Sequence, residues 1–167
     1  MNSTVISDNK RSMQSIISDF KQLTKVGLSL SVVFSSVAGY LLAVDVINYT
    51  TLYLLALGGF FMVGASNAYN QIIEIDTDKL MQRTKDRPLP TGRMSVNVAL
   101  AVAIVFTIAG LSILYSINAK TALFGAISIF LYTSVYTPLK SVTPLAVFVG
   151  AIPGAIPFML GWVAATN

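Results

Sequence analysis

The chain has 167 residues, 54% of them hydrophobic and 11% charged, with a mean hydropathy of +0.72, whereas a soluble domain carries about 25% charged residues. That balance predicts a membrane protein. Cys and His are both absent, which excludes disulfides, thiolate chemistry, the usual zinc sites, imidazole acid–base catalysis and His-ligated haem, so any metal here is held by oxygen.

The first element, residues 1–24, reads as an amphipathic N-terminal segment. In SIISDFKQLTK, Ile16, Ile17, Phe20 and Leu23 recur at helical spacing with Lys21 and Lys25 between them, the pattern of a helix lying along a membrane interface. A frayed tail is the alternative. Five apolar segments of spanning length follow, since about 20 helical residues cross the hydrocarbon core. They cover 26–44, a second from 51 that is apolar through Ala65 and turns polar at Ser66, then 96–117, 122–139 and 144–165. The fifth holds Gly150, Gly154 and Gly161 with Pro153 and Pro157. Small residues permit close helix approach, and prolines inside a span require neighbours for the freed carbonyls, which places this helix within a bundle. The predicted fold is all-α, one polytopic membrane domain over 1–167 with five transmembrane helices and a charged motif loop over 66–94.

The net charge of +4 reads as orientation rather than nucleic-acid binding. Lys10, Arg11, Lys21 and Lys25 precede the first span, Lys79, Arg83, Lys85, Arg87 and Arg93 lie between the second and third, and Lys140 between the fourth and fifth. The opposite loops offer Lys120. The positive-inside bias puts the N-terminus and the charged loop in the cytoplasm and residue 167 outside.

Between Asn67 and Arg93 the chain gathers four of its seven acidic and five of its eleven basic residues. If the second helix continues past the membrane surface at about 100° per residue, Asn67, Asn70, Glu74 and Asp78 share one face. Met81 joins that stripe and Asp76 points away. Two amides and two carboxylates in a column suit Mg²⁺, which takes oxygen ligands and binds through one or two carboxylates plus substrate phosphates. Arg83, Lys85 and Arg87 follow, and Pro88 and Pro90 stiffen the loop that holds them. Arginine forks match phosphate oxygens and lysine adds a point charge. Carboxylates and cations beside an apolar cavity describe a diphosphate site with a greasy tail pocket. On spacing alone a second reading stays open: orientation by itself produces a basic loop, although amides near the membrane boundary are usually buried in a bundle.

Asn70, Glu74 and Asp78, followed by MQRTKDRPLPTGRMS, resemble the first Asp-rich motif of the UbiA-type intramembrane prenyltransferases. Within that superfamily, NQIIEIDTDKLMQRT with Gln71, Glu74 and Met81, and YTPLKSVTPLAVFVGAIPGAIPFMLGW from Tyr136 to Trp162, resemble the protohaem IX farnesyltransferase (haem O synthase) branch. The resemblance implies a nine-helix fold in the cell inner membrane, and transfer of farnesyl from farnesyl diphosphate to a vinyl group of haem B. It implies Asn70, Glu74 and Asp78 as catalytic Mg²⁺ ligands, Asn70 through a water. Arg83, Lys85, Arg87 and Lys140 become diphosphate-binding candidates. Asn67, Tyr132 and Tyr136 become substrate contacts, for which the two tyrosines have an aromatic belt as their alternative.

The chain departs from the family pattern in three places. Glu74 stands where the wider superfamily has Asp, with the same ligand chemistry on a longer arm. Val26 replaces the usual proline after LTK, which predicts a straighter start to the first span. Five spans and one Asp-rich motif match an N-terminal portion, so a C-terminal half or a dimer partner is expected to complete the site. The rival functions are a UbiA-type enzyme with another aromatic acceptor, a small membrane transporter using the carboxylate stripe, and a non-catalytic fragment.

Overall fold

A computed structural model describes residues 12–166; the basic pair Lys10 and Arg11, used above for orientation, lies outside the described residues. The elements are α1 (Met13–Thr24), α2 (Val26–Ala43), α3 (Tyr49–Ile73), α4 (Ile75–Leu80), α5 (Val96–Ile117), α6 (Ala119–Phe130), a π-helical turn (Leu131–Tyr136), α7 (Thr137–Leu139) and α8 (Ala146–Thr166). Five helical stretches are long and apolar enough to cross a membrane: α2, α3, α5, the unit running from α6 to α7, and α8. Their starts follow local chemistry. Asn48, Ser95 and Asn118 each accept a hydrogen bond from the backbone N–H three residues on, the usual helix N-cap.

The helix α3 is central, packed chiefly on α5 and also on α2, while α2 packs along α8 and α6 bridges α5 and α8. Tyr40, Leu55, Met62, Leu114 and Leu160 form one buried core, and Leu23, Ala68, Leu89, Ala99 and Ala103 a second beneath the charged loop. Where α2 meets α8 the backbones themselves touch: a Cβ on Gly39 would run into the Phe158 carbonyl, and one on Gly161 into the Ser36 carbonyl and the Tyr40 amide. The Pro-rich α8 is therefore built into the bundle on one side, while Val147, Phe148 and Ile152 stay exposed on another.

One sequence expectation is met and two change. The second span continues past its polar switch to Ile73, as the shared face of Asn67, Asn70 and Glu74 requires, so 66–73 is helix and not loop, with Asn67, Asn70 and Gln71 buried. The junction after LTK is not straight: Lys25 takes the left-handed conformation (φ 46°, ψ 57°) and separates α1 from α2. Finally, α1 is more than an interfacial raft. Its outer Met13, Ile16 and Ile17 are exposed, but Leu23 is fully buried and Phe20 meets Phe106 of α5 edge-on.

Candidate functional site

The charged column is not carried on one unbroken helix, since the α-helical backbone breaks at Glu74 (φ −99°, ψ 10°) between α3 and α4. The four-residue spacing survives the break. Glu74 N–H donates to Asn70 O at 3.0 Å and Asp78 N–H to Glu74 O at 2.8 Å, so Asn70, Glu74 and Asp78 keep to one side as the spacing predicts. Asp78 is 3% exposed, whereas the Asp76 side chain is 96% exposed and pairs with Lys79. Met81 leaves the column, because α4 ends at Leu80 and Met81 is extended and half exposed.

Each column residue is met by a partner from another part of the chain. Asn70 Nδ2 donates to Glu74 Oε2 at 2.6 Å, and Lys140 Nζ lies 2.7 Å from Glu74 Oε1 and 3.3 Å from Asn70 Oδ1. Thr137 Oγ1 donates to the same amide oxygen at 3.1 Å. Arg87 Nη1 lies 2.6 Å from Asp78 Oδ2, and Thr84 Oγ1 donates to the Asp78 carbonyl at 3.0 Å. Of the diphosphate candidates, Arg87 and Lys140 are thus brought onto the carboxylates. Arg83 and Lys85 are exposed on the loop surface, and neither pairs with Glu74 or Asp78.

The loop that delivers Arg87 is held from both sides. Pro88 and Leu89 are buried, and Arg93 Nε pairs with the buried Asp19 of α1 at 2.9 Å while its Nη2 donates to Asp86 O at 2.8 Å. Gly92 turns the chain into α5 with φ +70°, a conformation glycine adopts without a Cβ penalty.

Below the column lies a cavity of about 790 Å³ between α2, α3, the π-helical turn and α8. Its wall is mostly apolar, with Asn67, Ser31, Ser35, Ser66 and Ser128 as polar insertions and Tyr132 and Tyr136 near the charged end. The two tyrosine rings stand 5.4 Å apart, and the Lys140 ammonium is 5.6 Å from the Tyr136 ring centre. The π-helical turn that carries them precedes Pro138. In a regular helix that proline ring would press on the carbonyl four residues back, Ser134, and a wider turn relieves the contact.

Lys25 was not among the sequence candidates. Burial lowers its pKa from the ordinary lysine value of 10.5, Arg87 and Lys140 lower it further, and Glu74 and Asp78 oppose them, so its ammonium shares the field of the whole cluster. Its place directly before the first apolar run was the available signal. Thr137 was also missed, because nothing in YTPLK announces a contact with Asn70.

The donor set fits Mg²⁺ in kind. Glu74 and Asp78 supply carboxylates and Asn70 an amide oxygen, all hard ligands. Among the described residues no three acidic side chains converge, so Glu74, Asp78 and Asn70 supply part of an octahedral ligand set.

A bundle of apolar helices with a carboxylate–amide column, facing cations and a greasy cavity beneath is the architecture of an intramembrane prenyltransferase. The chain belongs to the UbiA prenyltransferase family, whose model matches residues 32–167. It is 69% identical over 158 residues to the protoheme IX farnesyltransferase of Flavobacterium psychrophilum, covering 93% of this chain and 53% of that protein. It is 70% identical over 153 residues to the one of Christiangramia forsetii, covering 92% and 51%. The human mitochondrial protoheme IX farnesyltransferase is 38% identical over 147 residues, covering 87% and 33%. The chain spans about half the length of the bacterial relatives. Among solved structures, a digeranylgeranylglyceryl phosphate synthase superposes with TM-score 0.82 at 24% identity, over 92% of this chain and 55% of that one. A UbiA homolog of Archaeoglobus fulgidus bound to DMAPP and Mg²⁺ gives 0.77 at 19% identity, over 89% and 55%. These two likenesses establish the fold.

Proposed function

We propose that this chain belongs to a protein that transfers the farnesyl group of farnesyl diphosphate to a vinyl group of haem B, with addition of water, giving haem O. The single observation that carries the reading is the meeting of Asn70, Glu74 and Lys140, and of Asp78 and Arg87, beside an apolar cavity that Asn67 and Tyr136 line. A farnesyl chain fits such a cavity, and its diphosphate fits the charged end. The identity to protoheme IX farnesyltransferases supplies the acceptor.

Glu74, Asp78 and Asn70 would hold Mg²⁺, which would supply positive charge against the departing diphosphate. Arg87, Lys140 and Lys25 add positive charge fixed in place before the reaction, so little reorganisation is needed as negative charge develops. Arg83 and Lys85 reach a phosphate only by a movement of the exposed loop. The tyrosine pair and the apolar wall border the carbon left electron-poor when the C–O bond breaks. There they exclude water until the vinyl group attacks, and the face of each ring favours positive charge.

On this reading the protein sits in the cell inner membrane with the N-terminus and the column on the cytoplasmic side, where diphosphates are made. The membrane test is impermeant labelling: Thr91→Cys reacts only once the cytoplasmic side is exposed, and Tyr49→Cys reacts from outside. The functional test incubates membranes carrying the full gene product with haem B, farnesyl diphosphate and Mg²⁺. Haem O appears on chromatography, and Glu74→Ala abolishes it. Haem O made equally by Glu74→Ala would overturn the assignment.

A further inference from the structure

The geometry assigns Gln71 of α3, assisted by Asn67 and Ser29, the task of positioning Lys25 at the diphosphate site; this rests on the reading that the charged column binds diphosphate.

The last carbonyls of any helix lack partners within it. At the end of α1 they are taken up from neighbouring helices. Gln71 Nε2 donates to Gln22 O at 3.0 Å and to Leu23 O at 2.8 Å. Ser29 Oγ donates to Thr24 O at 2.9 Å, and Asn67 Nδ2 reaches the same oxygen at 3.4 Å. Gln71, Ser29 and Asn67 are all buried, so these bonds are shielded from competing water. Three successive carbonyls are therefore tied to α2 and α3, and the next residue is Lys25.

Lys25 is the single non-glycine residue with positive φ among the described residues. Glycine is the usual occupant of this position after a helix, because an L side chain is strained there. Strain that surrounding bonds hold in place marks a position where the side chain is wanted. Here the residue follows Thr24, whose carbonyl Asn67 holds about one turn of α3 from Asn70, and the charges of Arg87, Lys140, Glu74 and Asp78 act on its ammonium. A right-handed residue 25 would join α1 to α2 as one helix and turn its Cβ elsewhere. The carbonyl clamp holds the helix end in the form that prevents this.

Gln71 is thus a positioning residue, separate from the column although it neighbours Asn70. Its amide donates to the α1 backbone and is fully buried.

The test titrates farnesyl diphosphate calorimetrically into the full gene product in detergent at saturating Mg²⁺, with melting temperatures measured in parallel. Lys25→Gly removes the ammonium and the backbone strain together. It is expected to weaken binding about tenfold or more, the loss of one charge-assisted contact, while the melting temperature holds or rises. Gln71→Met is expected to weaken binding several-fold in the native background and not at all when added to Lys25→Gly. Should Gln71→Met fail to fold, Ser29→Ala is read the same way, with a smaller loss that also vanishes on Lys25→Gly. Equal losses from Gln71→Met in both backgrounds, or none in either, would overturn the positioning role while Glu74→Ala still weakens binding. Full binding by Glu74→Ala would overturn the diphosphate reading beneath it.

Discussion

Gly154 and Gly161 stand two turns apart on α8 and meet opposite surroundings. A Cβ on Gly161 would enter the α2 backbone, while one on Gly154 would have nothing within 4 Å. The helices α2 and α8 are thus in main-chain contact toward one end, through Gly39 and Gly161, and apart at the other, where Ser31, Ser35, Gly150 and Gly154 line the cavity. Without a hydrophobic drive between helices in lipid, close packing holds such pairs together. One end of the pair supplies that packing, which leaves the other free to stand open around a ligand.

Valine at the two positions breaks the pair most strongly. Overpacking costs about 1–3 kcal/mol where side chains can shift, and the obstacle to Gly161→Val is main chain, so that variant is expected to yield no stable protein in detergent. Gly154→Val is expected to melt as the native protein does and to bind farnesyl diphosphate about tenfold more weakly, a loss of ~1.4 kcal/mol, because its methyls occupy the cavity. Equal melting temperatures for the two variants would remove the contrast.

A second contrast lies within the column. Glu74→Ala is expected to lower Mg²⁺-dependent affinity for farnesyl diphosphate by at least about tenfold, as loss of a charged ligand does, whereas Asp76→Ala stays within about twofold, as a solvated surface pair should. Calorimetric titration decides it. Equal losses at both positions would mean that the loop rearranges around the metal.

The basic residues of the loop give a third. Arg87→Ala leaves the buried Asp78 carboxylate without its cation, a loss of about 3 kcal/mol when such pairs are broken, and both melting temperature and affinity fall. Arg83→Ala is expected to leave the melting temperature unchanged and to lower affinity by no more than about twofold.

Lys25 supplies a small stability effect, with a pH signature. Its folded pKa lies below the 10.5 of an unperturbed lysine, so the unfolded chain holds that proton more firmly and the ionised side chain costs stability. That cost is complete below the folded pKa and disappears as pH rises through 10.5. Lys25→Met keeps the backbone strain and lacks the charge. It should melt slightly above the native protein at pH 7, and the gap should narrow toward pH 10. A gap that widens with pH would contradict the sign.

The spans were legible because an apolar run of helical length has few other uses, and their limits shifted by a few residues at most sites. The column was legible because hydrogen bonds four residues apart cross the break at Glu74, so helical spacing survived the loss of regular geometry. What stayed hidden depends on tertiary contact. The burial of the polar end of α3 is hidden until Gln71 is seen bonded to α1. Arg83 and Arg87 differ only in what Pro88, Leu89 and Arg93 do to the loop between them, and no periodicity encodes that. The left-handed turn at Lys25 lacks the glycine that would have signalled it. Lys140 joins Glu74 across 65 intervening positions of sequence through the packing of three helices.

The π-helical turn has a consequence for how one helix serves two surfaces. Thr137 N–H bonds to Tyr132 O, five residues back, and Lys140 N–H returns to the ordinary spacing on Tyr136 O. One additional residue is accommodated in the turn, which offsets everything after it by about 100° from an unbroken α-helix. The span therefore has two angular phases: residues before the turn follow the one that packs α6 on α5 and α8, and Thr137 and Lys140 follow the one that faces Asn70 and Glu74. Deleting a single residue between 131 and 136 would merge the phases and swing Lys140 away from the carboxylate with no change in its identity. The length of that six-residue stretch, as much as its composition, is what the column depends on.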